Sequence, residues 1–471
     1  MLQFISLFIL PLILFSCSSS LLQQKNSSLK PIAQTSQGVN DGVYTLDAKK
    51  YQLDNGLRVI LAKNSKIPAF SLHIFYGVGS KHEVAGITGS SHYLEHMMFK
   101  GAKKYGLGAF DKLIEGNGGV SNAYTSNDMT VYYENLPKEA LALTLDMESD
   151  RMQNLLLEGD EFNAEKNVVL EERKMRYENS PMGQLYQRSF SMLYAGTPYE
   201  VPVIGSVEDV KGVTREQVYA YFKTFYAPNN AVLVLSGDFE EETALALLQK
   251  SFGSIPESKE VGEKKLEKES SKLYESTFKV SLVELINGQS EKPIFMWGVL
   301  GYEVGKRESY VADLLSRLLA EGESSFFEQK YVKSPKAIMS KVFSANYNLQ
   351  HKGLFLVGGE FFEEQDFEKF KKSLRKDIQT FCETQLTEEN LAKSKNHMLL
   401  QTYSELDTNQ GIANFLGSME LMRNDFTLYK DEFKAYDTVT VDELKKECFS
   451  ILTRPDYLLG IWNKFDLKIS I

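Results

Sequence analysis

The chain has 471 residues, with 53 basic and 63 acidic side chains and a net charge of −10. An acidic protein with no block of Lys and Arg repels a phosphate backbone, which argues against nucleic acid as a partner. Apolar residues make up 43% of the chain and aromatic ones 12%; that is ample for folded cores, and the length predicts two domains of about 200 residues each.

In chain order, Leu2 to Phe15 is an almost unbroken apolar run, too short to span a bilayer comfortably but suited to the core of a secretion signal. No Lys or Arg precedes it. Leu14-Phe15-Ser16-Cys17 resembles a bacterial lipoprotein cleavage site, in which Cys17 becomes a lipidated N-terminus. Residues 1–17 are therefore read as a signal peptide, and the protein as exported to the cell envelope and held on a membrane by its lipid, at the outer membrane or facing the periplasm. Residues 18–42, rich in Ser, Gln, Asn and Lys, read as a flexible tether.

Alternating patterns predict strands near 58–62, 69–76, 120–134, 231–236, 294–299, 340–345 and 353–357. Helical spacing predicts helices at about 88–101, 108–116, 138–153, 160–178 and 214–225. Because helices do not regularly separate the strands, the expected class is α+β: mainly antiparallel sheets with helices packed on one face. The Lys, Glu and Ser stretch 257–276 reads as a linker between residues 43–256 and 277–471.

An internal repeat supports that division. Thr214 with Gln217 opens a helix that ends before Pro228, and Ala231 to Leu235 follows as a strand; Thr440 with Glu443 opens one that ends before Pro455, and Tyr457 to Ile461 follows. Both starts are capping boxes, in which the Thr hydroxyl and the acidic or amide side chain three residues on satisfy each other's backbone amides. Two copies of one α/β unit explain the match.

The chemistry concentrates in His92-Tyr93-Leu94-Glu95-His96. On a helix the two imidazoles share a face and can reach one metal ion. The order H-x-x-E-H inverts the commoner H-E-x-x-H zinc motif, and in both the Glu is a general base and not a ligand. The competing reading is two surface histidines flanking a solvated Glu, a rare coincidence in a chain with six histidines. Leu94, Met97, Met98 and Phe99 argue against it, since they bury the helix and leave the polar face in need of a partner.

A catalytic zinc site usually has three protein ligands. His73 and His82 fall in a strand-like stretch and a glycine-flanked loop, while His351 and His397 lie far down the chain without acidic partners at ligand spacing; each reads as an ordinary histidine. The segment Glu161 to Glu172 has neither Gly nor Pro and reads as a helix. Glu165 and Glu172 lie seven residues apart on one face of it; composition alone favours a solvated acidic helix there. Cys382 and Cys448 have apolar neighbours and read as buried free thiols, with a single bridge as the other possibility.

These motifs together resemble the pitrilysin/insulinase family of zinc peptidases, the inverzincins, and its processing-peptidase subgroup. The likeness runs through Asp54-Asn-Gly56, Gly79-Ser80 to Glu83, His92 to Gly101, Gly118-Gly119, Ser121 to Thr125, Asp128 to Tyr133, Glu165 to Glu172, Pro198-Tyr199, Pro202 to Gly205 and Tyr226 to Ala231. The resemblance implies two homologous α/β-sandwich domains, with metal bound in the first alone. It makes His92, His96 and Glu172 the ligands of one Zn²⁺ per chain, Glu95 the base, and Glu165 a carboxylate that orients a ligating histidine. Glu171 is the neighbour that the family register passes over. The resemblance also makes Val120 to Tyr133 an edge strand that pairs with an extended peptide, with Asn122 and Ala123 against the scissile region.

Two departures stand out. Where many members carry an Arg and, seven residues on, a Tyr, this chain has Lys330 and Ala337; where a His often precedes Pro198, it has Thr197. The expected activity is a zinc metalloendopeptidase acting on oligopeptides or unfolded segments, in a homo- or heterodimer with a homologous chain. The alternative is a non-catalytic or weakly active structural subunit beside such a partner, and a third reading is an amide or ester hydrolase outside peptide chemistry.

Overall fold

The structure, a computed structural model, describes residues 30–35, 46–286, 290–363 and 365–462. Cys17 and most of the stretch read as a tether lie outside them. Among the described residues no helix is long and apolar enough to cross a membrane.

Two sheets organise the chain. The first is built from β1 (Lys30–Thr35), β2 (Ala48–Gln52), β3 (Arg58–Lys63), β4 (Ala69–Tyr76), β5 (Val120–Thr125), β6 (Thr130–Pro137) and β7 (Ala231–Gly237), in the order β1-β2-β3-β7-β4-β6-β5. The second is built from β8 (Leu282–Leu285), β9 (Ile294–Leu300), β10 (Met339–Tyr347), β11 (Leu354–Phe361) and β12 (Asp456–Ile461), in the order β10-β11-β9-β12-β8. Neighbours run antiparallel except β3 with β7 and β12 with β8. The series β5-β6-β4-β7-β3 therefore repeats as β10-β11-β9-β12-β8, parallel pair included.

Helices of the first half are α1 (Ser90–Met97), α2 (Ala109–Gly116), α3 (Leu141–Asn154), α4 (Gly159–Arg173), α5 (Pro181–Leu193), α6 (Val207–Gly212), α7 (Arg215–Phe225) and α8 (Glu241–Phe252). After α9 (Val261–Glu269) come α10 (Arg307–Ala320), α11 (Phe367–Thr384), α12 (Glu388–Leu406), α13 (Asn409–Arg423), α14 (Tyr429–Asp437) and α15 (Val441–Thr453). Both capping boxes form, Thr214 with Gln217 at α7 and Thr440 with Glu443 at α15.

Each sheet carries its own half's helices on one face, as the strand pattern predicts, and a helix from the other half roofs the opposite face. Ile60, Phe75, Val131, Val232 and Val234 of the first sheet meet Ile412, Ala413 and Leu416 of α13. Reciprocally, Ile294, Met296, Leu356 and Leu459 of the second sheet meet Leu185, Phe190 and Leu193 of α5. Burying both faces explains why β7 is buried along its whole length and reads as a continuous apolar run. Gly417 lets α13 lie this close, since a Cβ there would stand 2.0 Å from the Phe75 ring. Glu420, also on α13, completes the join by pairing with Lys50 at 2.7 Å and Arg58 at 3.0 Å.

Four local features differ from the sequence reading. The stretch 120–134, read as one strand and by the resemblance as an edge strand from Val120 to Tyr133, is a hairpin in which β5 lies at the edge and β6 is paired on both sides, with β5 and β4; the alternation runs on through the Ser126 to Met129 turn and so hid it. Lys30–Thr35, inside the stretch read as tether, pairs with β2 as an edge strand. The stretch read as a linker contains a helix, α9, and Tyr274 near its end is buried; its charge pattern hid the few apolar anchors. Cys382 and Cys448 are not free thiols but a disulfide, with Cα atoms 5.7 Å apart, joining α11 to α15. Their apolar neighbours reported burial correctly, but 66 residues of separation hid that the two helices pack together.

Candidate metal centre

Helix α1 begins at Gly89, whose φ of +87° places it in the left-handed region that glycine enters at no steric cost. No side chain at Gly89 caps the helix. Glu83 does so from the preceding loop, accepting the amides of Gly89 at 2.6 Å and Ser91 at 2.7 Å. Tyr93, Leu94 and Met97 are buried in the core of the first half, which turns His92, Glu95 and His96 toward α4 and β5. On α4, Phe162 and Val169 are buried, and their face sets the rotation that brings Glu165 and Glu172 to α1.

His92, His96 and Glu172 converge, with one ligand atom from each within 4.8 Å of the others. His92 Nε2 lies 3.6 Å and His96 Nε2 3.2 Å from Glu172 Oε2. Zinc bonds of about 2.0–2.2 Å in a tetrahedron separate ligand atoms by roughly 3.3–3.6 Å, so two imidazole nitrogens and a carboxylate oxygen at these spacings fit that ion. The other oxygen of Glu172 is held by Arg176 at 2.7 Å. Glu165 Oε1 lies 2.8 Å from His96 Nδ1, and its Oε2 lies 2.7 Å from Lys100. His92 Nδ1 is buried with no hydrogen-bond partner among the described residues.

Electrostatics follow from burial and these contacts. Burial, helped by His96, pushes His92 down to about 4 and favours the neutral imidazole that a metal requires. Burial opposes protonation of His96 too, but bonds to Glu172 and Glu165 outweigh it and raise its pKa. The bond to His96 lowers Glu172. In Glu165, burial is overcome by Lys100 and His96, so the carboxylate is favoured. Burial raises Glu95 while Thr125, donating its hydroxyl to Oε2 at 2.5 Å, partly offsets it.

The remaining expected residues sort cleanly. Asn122 is exposed on β5, which is an edge strand of the first sheet among the described residues, and Ala123 is half-buried beside it. Glu171 points to solvent and lies 3.8 Å from Lys174. His73 is buried and stacked on Tyr133, His351 stacks on Tyr274, and His82 Nδ1 accepts the Gly79 amide; none joins the cluster. Lys330 is paired with Asp377 within its own half. Sequence reasoning missed Thr125, Lys100 and Arg176. The last two stand four residues after His96 and Glu172, the spacing at which helical side chains meet, so they were findable.

In the second half α10 and α12 take the topological places of α1 and α4. There Arg317 Nη1 donates to His397 Nδ1 at 2.9 Å and Nη2 to Gln401 at 2.6 Å. A guanidinium occupies the helix-pair contact where the first half gathers metal-binding groups.

Residues 58–205 match the insulinase model of peptidase family M16, and residues 212–398 match the model of the M16 inactive domain. The chain is 32% identical over 398 residues to the zinc protease PqqE of Helicobacter pylori, an alignment covering 83% of this chain and 87% of that one. The chain belongs to the insulinase family of peptidases, M16. The crystal structure of a protease from Helicobacter pylori superposes with a TM-score of 0.83 at 26% identity, covering 89% of this chain and all of that one. The periplasmic protease PqqL of Escherichia coli shares the fold, with a TM-score of 0.68 at 20% identity; 88% of this chain matches 47% of that one. Membership of M16 and the His–His–Glu cluster together support a zinc-dependent metallopeptidase.

Proposed function

We propose that the protein is a zinc endopeptidase of extended or unfolded polypeptide, in which His92, His96 and Glu172 hold the metal and Glu95 is the general base. The observation that carries this reading is the convergence of two imidazoles and a carboxylate beside a base that adjoins one of the ligands. Zinc bound there supplies a lowered pKa, about 7, for its water and a polarised substrate carbonyl.

The chain's own residues do the rest. Glu95 takes a proton from the attacking water as its oxygen bonds to the carbonyl carbon, and delivers it to the departing amine nitrogen when the C–N bond breaks. Glu165 and Arg176 fix His96 and Glu172. The edge strand β5 offers backbone groups to an extended peptide, which places Asn122 and Ala123 beside the scissile bond. The test is hydrolysis of a mixed peptide library, abolished by a chelator and restored by zinc. A zinc-loaded protein that cleaves only small esters or amides would favour the third reading.

A second reading rests on a specific observation. Lys330 is committed to Asp377, and Ala337 has no hydroxyl, so neither is disposed to serve the metal centre as an Arg and a Tyr would. We therefore favour a dimer with a homologous chain that supplies those donors. If the partner alone is active, this chain is its structural subunit.

The cell envelope is the proposed location. A disulfide in the body of the protein fits an oxidising compartment, and PqqL is described as periplasmic. Lipidation at Cys17 is tested by acyl-chain labelling. The C17A protein should lose label and membrane association; a labelled C17A protein contradicts the assignment.

A further inference from the structure

A general base works only when its carboxylate is aimed, and a Glu side chain has three rotatable bonds to fix. Helix α1 sets the Cα of Glu95 but not its head group. Thr125, at the end of β5, donates its hydroxyl to Glu95 Oε2 at 2.5 Å.

Thr125 is in turn held by the loop that follows it. The Ser80 amide donates to Ser126 O at 3.2 Å and the Lys81 amide to Asn127 O at 3.1 Å, while Asn127 Nδ2 donates to Ser80 Oγ at 3.1 Å. The loops lie so close that a Cβ at Gly79 would stand 2.4 Å from Ser126 O. The second half then reaches across. Asp128 Oδ2 accepts the amide of Gln350, from the turn between β10 and β11, at 3.1 Å. Its Oδ1 accepts Lys81 Nζ at 2.8 Å and Tyr199 Oη at 2.7 Å. Lys81 Nζ also donates to Gln350 Oε1, and the His351 amide donates to Tyr199 Oη at 3.3 Å. The Lys81 and Asp128 side chains are 1% and 3% exposed, so this is a dry, directional cluster whose geometry is costly to disturb.

We propose that Thr125 is the positioning residue of the base, and that the Asp128 cluster, completed by the second half, sets Thr125. The half without a metal centre thereby aims the base of the half that has one. This inference rests on the peptidase reading for its consequence in turnover, but its geometric content stands apart from activity.

The test pairs kinetics with crystallography of the zinc-loaded protein. T125V keeps the shape and removes the donor. It should leave zinc stoichiometry and KM within about twofold and lower kcat by roughly 10–100-fold, the scale expected of a misplaced catalytic group. T125S should restore most of the rate. In crystals, Glu95 should hold one conformer in the wild type and be displaced or split in T125V. The K81M/D128N double variant removes both buried charges together, and Y199F is the milder form, removing one hydroxyl that donates to Asp128 and accepts the His351 amide; each should lower kcat with zinc retained. Glu95 unmoved in T125V crystals overturns the proposal, as does T125S failing like T125V, which would mean that bulk and not the hydroxyl matters. Unchanged kcat in both cluster variants overturns the role of the second half. A zinc-loaded wild type with no turnover even when purified with its native partner would sink the peptidase reading, while the Glu95 conformers would still decide the positioning.

Discussion

Glu165 Oε1 lies 2.8 Å from His96 Nδ1, and the same imidazole turns Nε2 to Glu172, 3.2 Å away. One ring is thus gripped between two carboxylates of a single helix, two turns apart. The grip fixes which nitrogen faces the metal, since the Nδ1 proton is committed to Glu165.

E165Q should therefore bind zinc 10–100-fold more weakly, the range typical when a carboxylate behind a ligating histidine is lost. Competition against a chromophoric chelator measures it. An unchanged affinity would mean that Lys100 and helix packing alone orient the ring.

E172Q should weaken zinc far more than E165Q, while E171Q should bind as the wild type does. Glu172 is half-sheltered between the imidazoles and Arg176, whereas Glu171 is 72% exposed. The same titration decides. Normal affinity in E172Q with loss in E171Q would reverse the helix register.

E420A should destabilise the fold by about 3–5 kcal/mol, because it leaves Lys50 and Arg58 facing a buried site without its carboxylate. Chemical denaturation gives the value. A loss below about 1 kcal/mol would mean that α13 is held on the first sheet by apolar contacts alone.

A pH dependence follows from Glu83. Burial pushes its carboxyl up to about 7 from an ordinary 4.5, against the pull of the Ser91 and Gly89 amides. The unfolded chain ionises first, so stability from this group is full below pH 4.5, falls as pH rises, and is lost above about 7. The total is on the order of 3 kcal/mol. Denaturation from pH 4 to 8 should show the wild type losing stability relative to E83Q across that window. Parallel curves would show that the helix amides already stabilise the anion.

Much of this molecule was legible in residue order because its strongest signals are local. H-x-x-E-H needs only one helical turn, and both capping boxes lie within four residues. Alternation marked 120–134 as strand, but its edge character came from the family resemblance, and the turn that folds it into β5 and β6 went unread. What else stayed hidden depends on distant segments. The roofing of each sheet by the other half's helix arises between residues such as Phe75 and Gly417, which no periodicity connects. Thr125 looked like any strand threonine until folding carried it to Glu95. The disulfide joins two helices whose packing no local pattern reports.

The central claim is that Glu95 moves the proton and does not hold the metal. Peptide-library hydrolysis by zinc-loaded E95Q, in the chain purified with any native partner, tests it most directly. E95Q should keep a full complement of zinc, since His92, His96 and Glu172 are untouched, and lose turnover by several orders of magnitude, since an amide cannot accept the proton. Peptide cleavage at a wild-type rate by E95Q carrying its zinc would contradict it.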